Sequence, residues 1–154
     1  MFYSEDTGTL LPGQINNITK PLSKYTNPIY NVSLMYPTQW AKVNSLHYAG
    51  IDGYFRISVL ESDMSLEEIC KIEAYHKLEP YGSDPTIVSD TSAGQDVCLI
   101  VPSEDQPTDM KRQTALVIKY PNGLNIDSET YSHLILWTDM EHLQDIKNSL
   151  IIED

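Results

Sequence analysis

The feature that most constrains this chain is a succession of short segments in which apolar and polar residues alternate, joined by connections of hairpin length. A period of two sends successive side chains to opposite faces, so each segment predicts a strand with one buried face. Val32, Leu34 and Tyr36 alternate with Ser33 and Met35, and Pro37 ends the run because it has no N–H to donate. Trp40 to Tyr48 is predicted as a second strand. Asp52-Gly53 then signals a turn, since both residue types tolerate positive φ. After it Phe55, Ile57 and Val59 alternate with Tyr54, Arg56 and Ser58. Thr86–Thr91 and Asp96–Val101 read as strands about a tight turn at Ala93-Gly94, with Val97, Leu99 and Val101 facing away from Cys98 and Ile100. The most apolar segments, Thr114–Tyr120 and Tyr131–Thr138, are expected at the centre of the sheet. Between them Pro121 and Asn122-Gly123 predict a bend, and Asp127-Ser128 a hairpin tip.

Two segments change to helical periodicity. Ser65-Leu66-Glu67-Glu68 fits a capping box, in which a serine hydroxyl and a glutamate each satisfy an orphaned N–H. Leu66, Ile69, Cys70 and Ala74 follow on one face, and Pro80 and Gly82 close the segment. Thr138-Asp139-Met140-Glu141 is a second match to the capping box, leading to a stripe of Leu143, Ile146 and Leu150. The order of elements is three strands, a helix, four strands, a helix. Hairpin connections make the class α+β, a largely antiparallel sheet of six to seven strands flanked by two helices.

The 154 residues suit one domain, with residues 1–24 as a polar linker or flexible segment and 25–154 as the folded part. Leu10, Leu11 or Ile15 offer the linker a short apolar contact. The balance of 22 acidic to 10 basic residues, a formal charge of -12, repels phosphate backbones and anionic lipid, so neither nucleic acid nor a membrane surface is an expected partner. No apolar run approaches the roughly 20 residues of a membrane-spanning helix, and Met1 to Lys24 lack the basic and apolar regions of a signal peptide.

Chemistry-bearing residues are sparse. His47, His76, His133 and His142 form no i, i+4 pair, and no cysteine lies at ligand spacing from them, so no metal site and no cofactor is expected. His133 is expected as a neutral imidazole packed in a strand, and His142 as solvated. No serine lies in a Gly-x-Ser-x-Gly elbow, and Glu104, Asp105 and Asp109 lack the spacing of a calcium loop, so no catalytic residue is assigned. Cys70, on the buried helix face, and Cys98, on a following strand, fit either a disulfide or two buried thiols. Tyr75, His76, Lys77, Tyr81 and Asp84 gather beside a turn stiffened by Pro80 and Gly82, amphipathic aromatics on a fixed backbone that suit recognition. Lys77, Lys111 and Arg112 are among the few cations an anionic ligand or acidic partner has available. The bland reading of Tyr75–Asp84 is a helix end whose tyrosines lie on the sheet edge.

The stretch Tyr25-Thr26-Asn27-Pro28-Ile29-Tyr30, followed by Val32–Pro37 and Trp40, resembles the opening of PsbP-like domains, a short "N-P-x-Y", an alternating strand, then "Y-P-x-x-W". The capped helix and the late Ile135-Leu136-Trp137 strand are similar too, so the resemblance spans roughly Tyr25 to Ile152. Ala74–Gly82 and Pro102–Pro107 resemble segments of extracytoplasmic domains of Gram-positive membrane proteins and lipoproteins, some joined to membrane metallopeptidases of the β-lactam-sensor type. The resemblance implies an α/β sandwich outside the cytoplasm, anchored if at all through a segment beyond this chain, that binds a protein partner or small ligand. A cytosolic adaptor of the same fold, or a hydrolase assembled from distant Ser, His and Asp residues, are the alternatives. No His-Glu-x-x-His helix is present, so a peptidase role does not carry over, and neither does a photosynthetic one.

Overall fold

A computed structural model describes residues 21–153. In chain order the elements are β1 (Leu22–Asn27), β2 (Val32–Pro37), β3 (Ala41–Asn44), β4 (His47–Gly50), β5 (Gly53–Leu60), α1 (Leu66–Ala74), β6 (Thr86–Ser92), β7 (Gln95–Val101), β8 (Gln113–Ile126), β9 (Glu129–Asp139), α2 (Leu143–Ser149) and β10 (Ile151–Ile152). Short 3-10 turns at Thr108–Met110 and Met140–His142 precede β8 and α2. Every strand pairing is antiparallel. Seven strands form one sheet in the order β3-β4-β5-β9-β8-β7-β6, and a separate sheet has the order β1-β2-β10. The chain is an α+β sandwich with a largely β architecture.

Alternation along the central strands builds two cores, one on each face of the large sheet. Phe55, Ile57, Val97, Leu99, Leu116, Ile118, Leu134 and Leu136 meet Val32 and Leu34 of the small sheet and Leu143, Ile146 and Leu150 of the α2 segment. On the opposite face Cys98, Ile100, Ala115, Val117 and Ile135 meet Ile69, Cys70 and Ala74 of α1. The capping box that opens α1 is formed: Glu68 N donates to Ser65 Oγ (3.2 Å) and Ser65 N to Glu68 Oε1 (3.3 Å). A disulfide joins Cys70 to Cys98, Cα atoms 6.6 Å apart, and ties α1 to β7.

The structure departs from the sequence expectations in several places, each with a local cause. β1 begins at Leu22, inside the segment read as linker, because Leu22–Asn27 pairs along its length with Val32–Pro37. The proposed apolar contact from Leu10, Leu11 or Ile15 lies outside the described residues. Trp40–Tyr48 is a hairpin rather than one strand, folded at Ser45-Leu46 where Asn44 Oδ1 accepts from Leu46 N (2.8 Å). β8 runs through Pro121 to Ile126, absorbing the proline in a register shift between Lys119 and Leu124. Thr138-Asp139-Met140-Glu141 caps nothing: β9 continues to Asp139, Thr138 Oγ1 donates to Tyr54 O (2.7 Å), and α2 starts only at Leu143. Ladder pairing of Phe55 with Thr138 and of Gln113 with Asp139 takes the backbone groups that a helix start would have used. Gly53 is not at positive φ. Its role is space, since a Cβ there would collide with Asp139 Oδ1 and His142 Nδ1.

Candidate functional site

Of the residues the sequence gathered after α1, the structure buries Tyr81 and leaves Tyr75, His76, Lys77 and Asp84 exposed. Tyr81 is fully buried. Its hydroxyl donates to Glu73 Oε2 (2.7 Å), and Trp137 Nε1 donates to the Tyr81 oxygen (3.1 Å). Burial and the Glu73 carboxylate push its pKa up, so it stays a neutral core phenol rather than a recognition residue. Tyr75 is exposed, its hydroxyl on Pro85 O at 3.3 Å, and His76 Nδ1 accepts from Leu78 N at 3.1 Å. Lys77 and Asp84 are exposed. Beside them Asp105 accepts from Ser83 N and from the hydroxyls of Ser83 and Ser103, which draw its pKa down to about 2. Gly82 is required under this staple: at φ +88 a Cβ would strike Ser103 Oγ and Asp105 Oδ1. Lys111, the remaining residue singled out, lies apart from this turn and lines a different surface.

That surface is a cleft of about 920 Å³ on the α1-bearing face of the large sheet. α1 packs over β6, β7 and β8 and leaves the β4–β5 half of this face without a helix above it. Register decides what is displayed there. His47 pairs with Arg56, Ala49 with Tyr54, and Arg56 with Trp137, so all lie on the open face while Tyr48 and Phe55 turn to the opposite core. The Arg56 guanidinium carbon sits 4.1 Å from the centre of the Trp137 ring. Tyr54 donates its hydroxyl to Gln113 Oε1 (2.7 Å), and burial raises its pKa well above the ordinary value.

The wall of the cleft is the Asp109–Gln113 turn. Lys111 and Arg112 are consecutive left-handed residues, φ 57 and 59, a conformation non-glycine side chains adopt at a cost. Met140 N donates to Arg112 O (3.0 Å) and Arg112 Nη1 to Ser103 O (3.1 Å), which hold the turn in place. On a strongly acidic chain, Arg56, Lys111 and Arg112 therefore line the same cleft as His47. Among the described residues none of these three cations has a carboxylate within ion-pair distance. Burial first, then Arg56 and Lys111, lower the His47 pKa, so its imidazole is neutral at neutral pH. Four carboxylates, Asp52, Asp109, Asp139 and Glu141, line the same cleft, and two of them are engaged by neighbours. Asp139 Oδ1 accepts from Tyr54 N (3.1 Å) and its Oδ2 faces His142 Nδ1 (2.7 Å), while Asp52 Oδ1 accepts from Trp40 Nε1 (2.8 Å).

His142 and His133 lie outside this cleft. His142 is not solvated as its position suggested: it lies between Asp139 and Asp52 and meets Trp40 edge-on at 4.8 Å. His133 is buried with Nδ1 2.6 Å from Ser132 Oγ. That hydroxyl also accepts from Ser62 N (2.9 Å) and lies against Leu60 O and Ser62 O, so it pins the end of β5. Among the described residues no histidine bonds to both a hydroxyl and a carboxylate, and no group of three or more His, Cys, Asp or Glu is placed to hold a metal ion. Also among them, no helix is long and apolar enough to cross a membrane. Sequence reasoning reached Lys111 and Arg112 through charge scarcity. It missed His47 and Arg56, which come together only through strand register. Comparison of the chain with protein-family models, with curated proteins and with solved structures finds no match in any of the three.

Proposed function

We propose that this chain is a noncatalytic binding domain and that its ligand or partner seats in the cleft on the open half of the large sheet. The observation that carries the reading is the cleft itself. Its size suits a small ligand, its floor is the rigid β4–β5–β9 surface, and its polar groups converge from strand and turn. Deployment outside the cytoplasm belongs to the same proposal and is supported by the Cys70–Cys98 disulfide, which reducing compartments disfavour. The disulfide also ranks this reading above a cytosolic adaptor. The PsbP-like scaffold rests on the Tyr25–Trp40 motif, where Asn27 Oδ1 accepts from Ile29 N and Tyr30 N and so shapes the turn into β2. The Gram-positive membrane-associated setting rests on the Ala74–Gly82 and Pro102–Pro107 resemblance.

A screen of small molecules for thermal stabilisation tests the proposal, run in parallel on the wild type and on Ala49→Trp, which fills the cleft floor. A compound that raises the Tm of the wild type but not of the variant supports it. Stabilisers that act equally on both, or turnover of any compound in the screen, would overturn it.

A further inference from the structure

The open face carries a second feature that size alone does not explain. The guanidinium of Arg56 has one flat side against Trp137, yet among the described residues its N–H fork has no hydrogen-bond acceptor and no carboxylate partner. A stacked guanidinium with a vacant fork is pre-organised for bidentate contact with an oxyanion, because stacking restricts its rotamers before the anion arrives. Lys111 lines the same cleft from a left-handed turn that Met140 N and Ser103 O secure through Arg112. His47 lies across the ladder from Arg56 and adds a neutral ring with a hydrogen-bonding nitrogen. Asp52, Asp109, Asp139 and Glu141 line the same cleft, yet among the described residues no carboxylate lies within ion-pair distance of Arg56, Lys111 or Arg112. The surplus of acid elsewhere also keeps large polyanions at a distance, which favours a compact ligand.

We propose that the cleft binds a small oxyanion-bearing ligand, its carboxylate or phosphate gripped by the Arg56 fork and Lys111 with His47 at the rim. The inference rests on the cleft being the binding surface and adds the chemical class of what enters it.

NMR titration of the intact chain, following Arg56 Nε–H and the His47 ring protons at constant ionic strength, provides the test. The probes are inorganic phosphate and succinate, with sodium chloride as the control. Saturable shifts with either probe, beyond those chloride produces, are expected, and the probe that saturates identifies the group recognised. Arg56→Gln is expected to weaken binding about tenfold, the loss typical of one charge-assisted contact. Should Arg56→Gln fail to fold because Trp137 loses its cover, Lys111→Gln, on an exposed turn, is expected to weaken binding about threefold. Linear shifts that chloride reproduces, or saturable binding of equal strength in every folded variant, would overturn the oxyanion assignment. The binding-domain reading would then still stand if a neutral compound stabilises the wild type and not Ala49→Trp.

Discussion

His133 sits in β9 with 3% of its surface exposed, and burial holds its pKa below the ordinary 6.5. The sign of the consequence follows from linkage. With the folded pKa depressed, the unfolded chain binds the proton more readily, so the stabilising contribution is present above about pH 6.5 and is lost as pH falls through the folded value. His47, depressed by burial and then by Arg56 and Lys111, acts in the same direction. Urea unfolding at pH 7.5 and pH 5 should therefore show the wild type losing stability on acidification, and His133→Gln losing less of it. An identical pH response in the two proteins would refute the account. Asp105 titrates in a separate window. Its depressed pKa of about 2 means that its staple of Ser83 and Ser103 persists down to strongly acid pH. The sequence identified His133 correctly as packed, because flanking apolar positions of period two make a strand interior. It misplaced His142, since a helix first turn looks solvent-facing until Asp52 and Trp40 arrive from the β3–β5 hairpins.

Among the elements, α1 is the one most legible in sequence. Its capping box is local, and local hydrogen bonds can be read from spacing alone. The second capping-box match failed for the complementary reason: Thr138 and Asp139 had ladder partners distant in sequence, and two flanking strands outweigh a cap of about 1 kcal/mol. The splitting of Trp40–Tyr48 and the run of β8 through Pro121 were hidden likewise, since turns and bulges absorb residues without breaking the apolar alternation. The Cys70–Cys98 disulfide, with a sequence separation of 28, staples α1 to the sheet. In the chain-entropy view, a loop of that length is worth about 3–4 kcal/mol of stability. Cys70→Ala/Cys98→Ala should accordingly lose about 3 kcal/mol in urea unfolding, and reductant should cost the wild type a similar amount. A change within about 0.5 kcal/mol would mean that the helix is held by its apolar face alone.

For the whole molecule, period-two strand patterning together with two segments of helical periodicity was sufficient to define an antiparallel α+β sandwich with two helices and to place β8 and β9 near its centre. It could not show that β1, β2 and β10 leave the main sheet to form one of their own, because nothing in a strand's sequence names its neighbour. The same limit governs the candidate site. Tyr75, His76, Lys77, Tyr81 and Asp84 looked like a surface because they are close in sequence, and four of them are exposed while Tyr81 points into the core. His47, Arg56 and Lys111 share one cleft because register and the Asp109–Gln113 turn bring them together. Backbone amide shift mapping, with a compound that stabilises the wild type but not Ala49→Trp, tests the central claim most directly. Perturbations concentrated in His47–Arg56 and Asp109–Gln113 are the predicted result. Perturbations concentrated in Tyr75–Asp84, with the β4–β5 face unchanged, would contradict it.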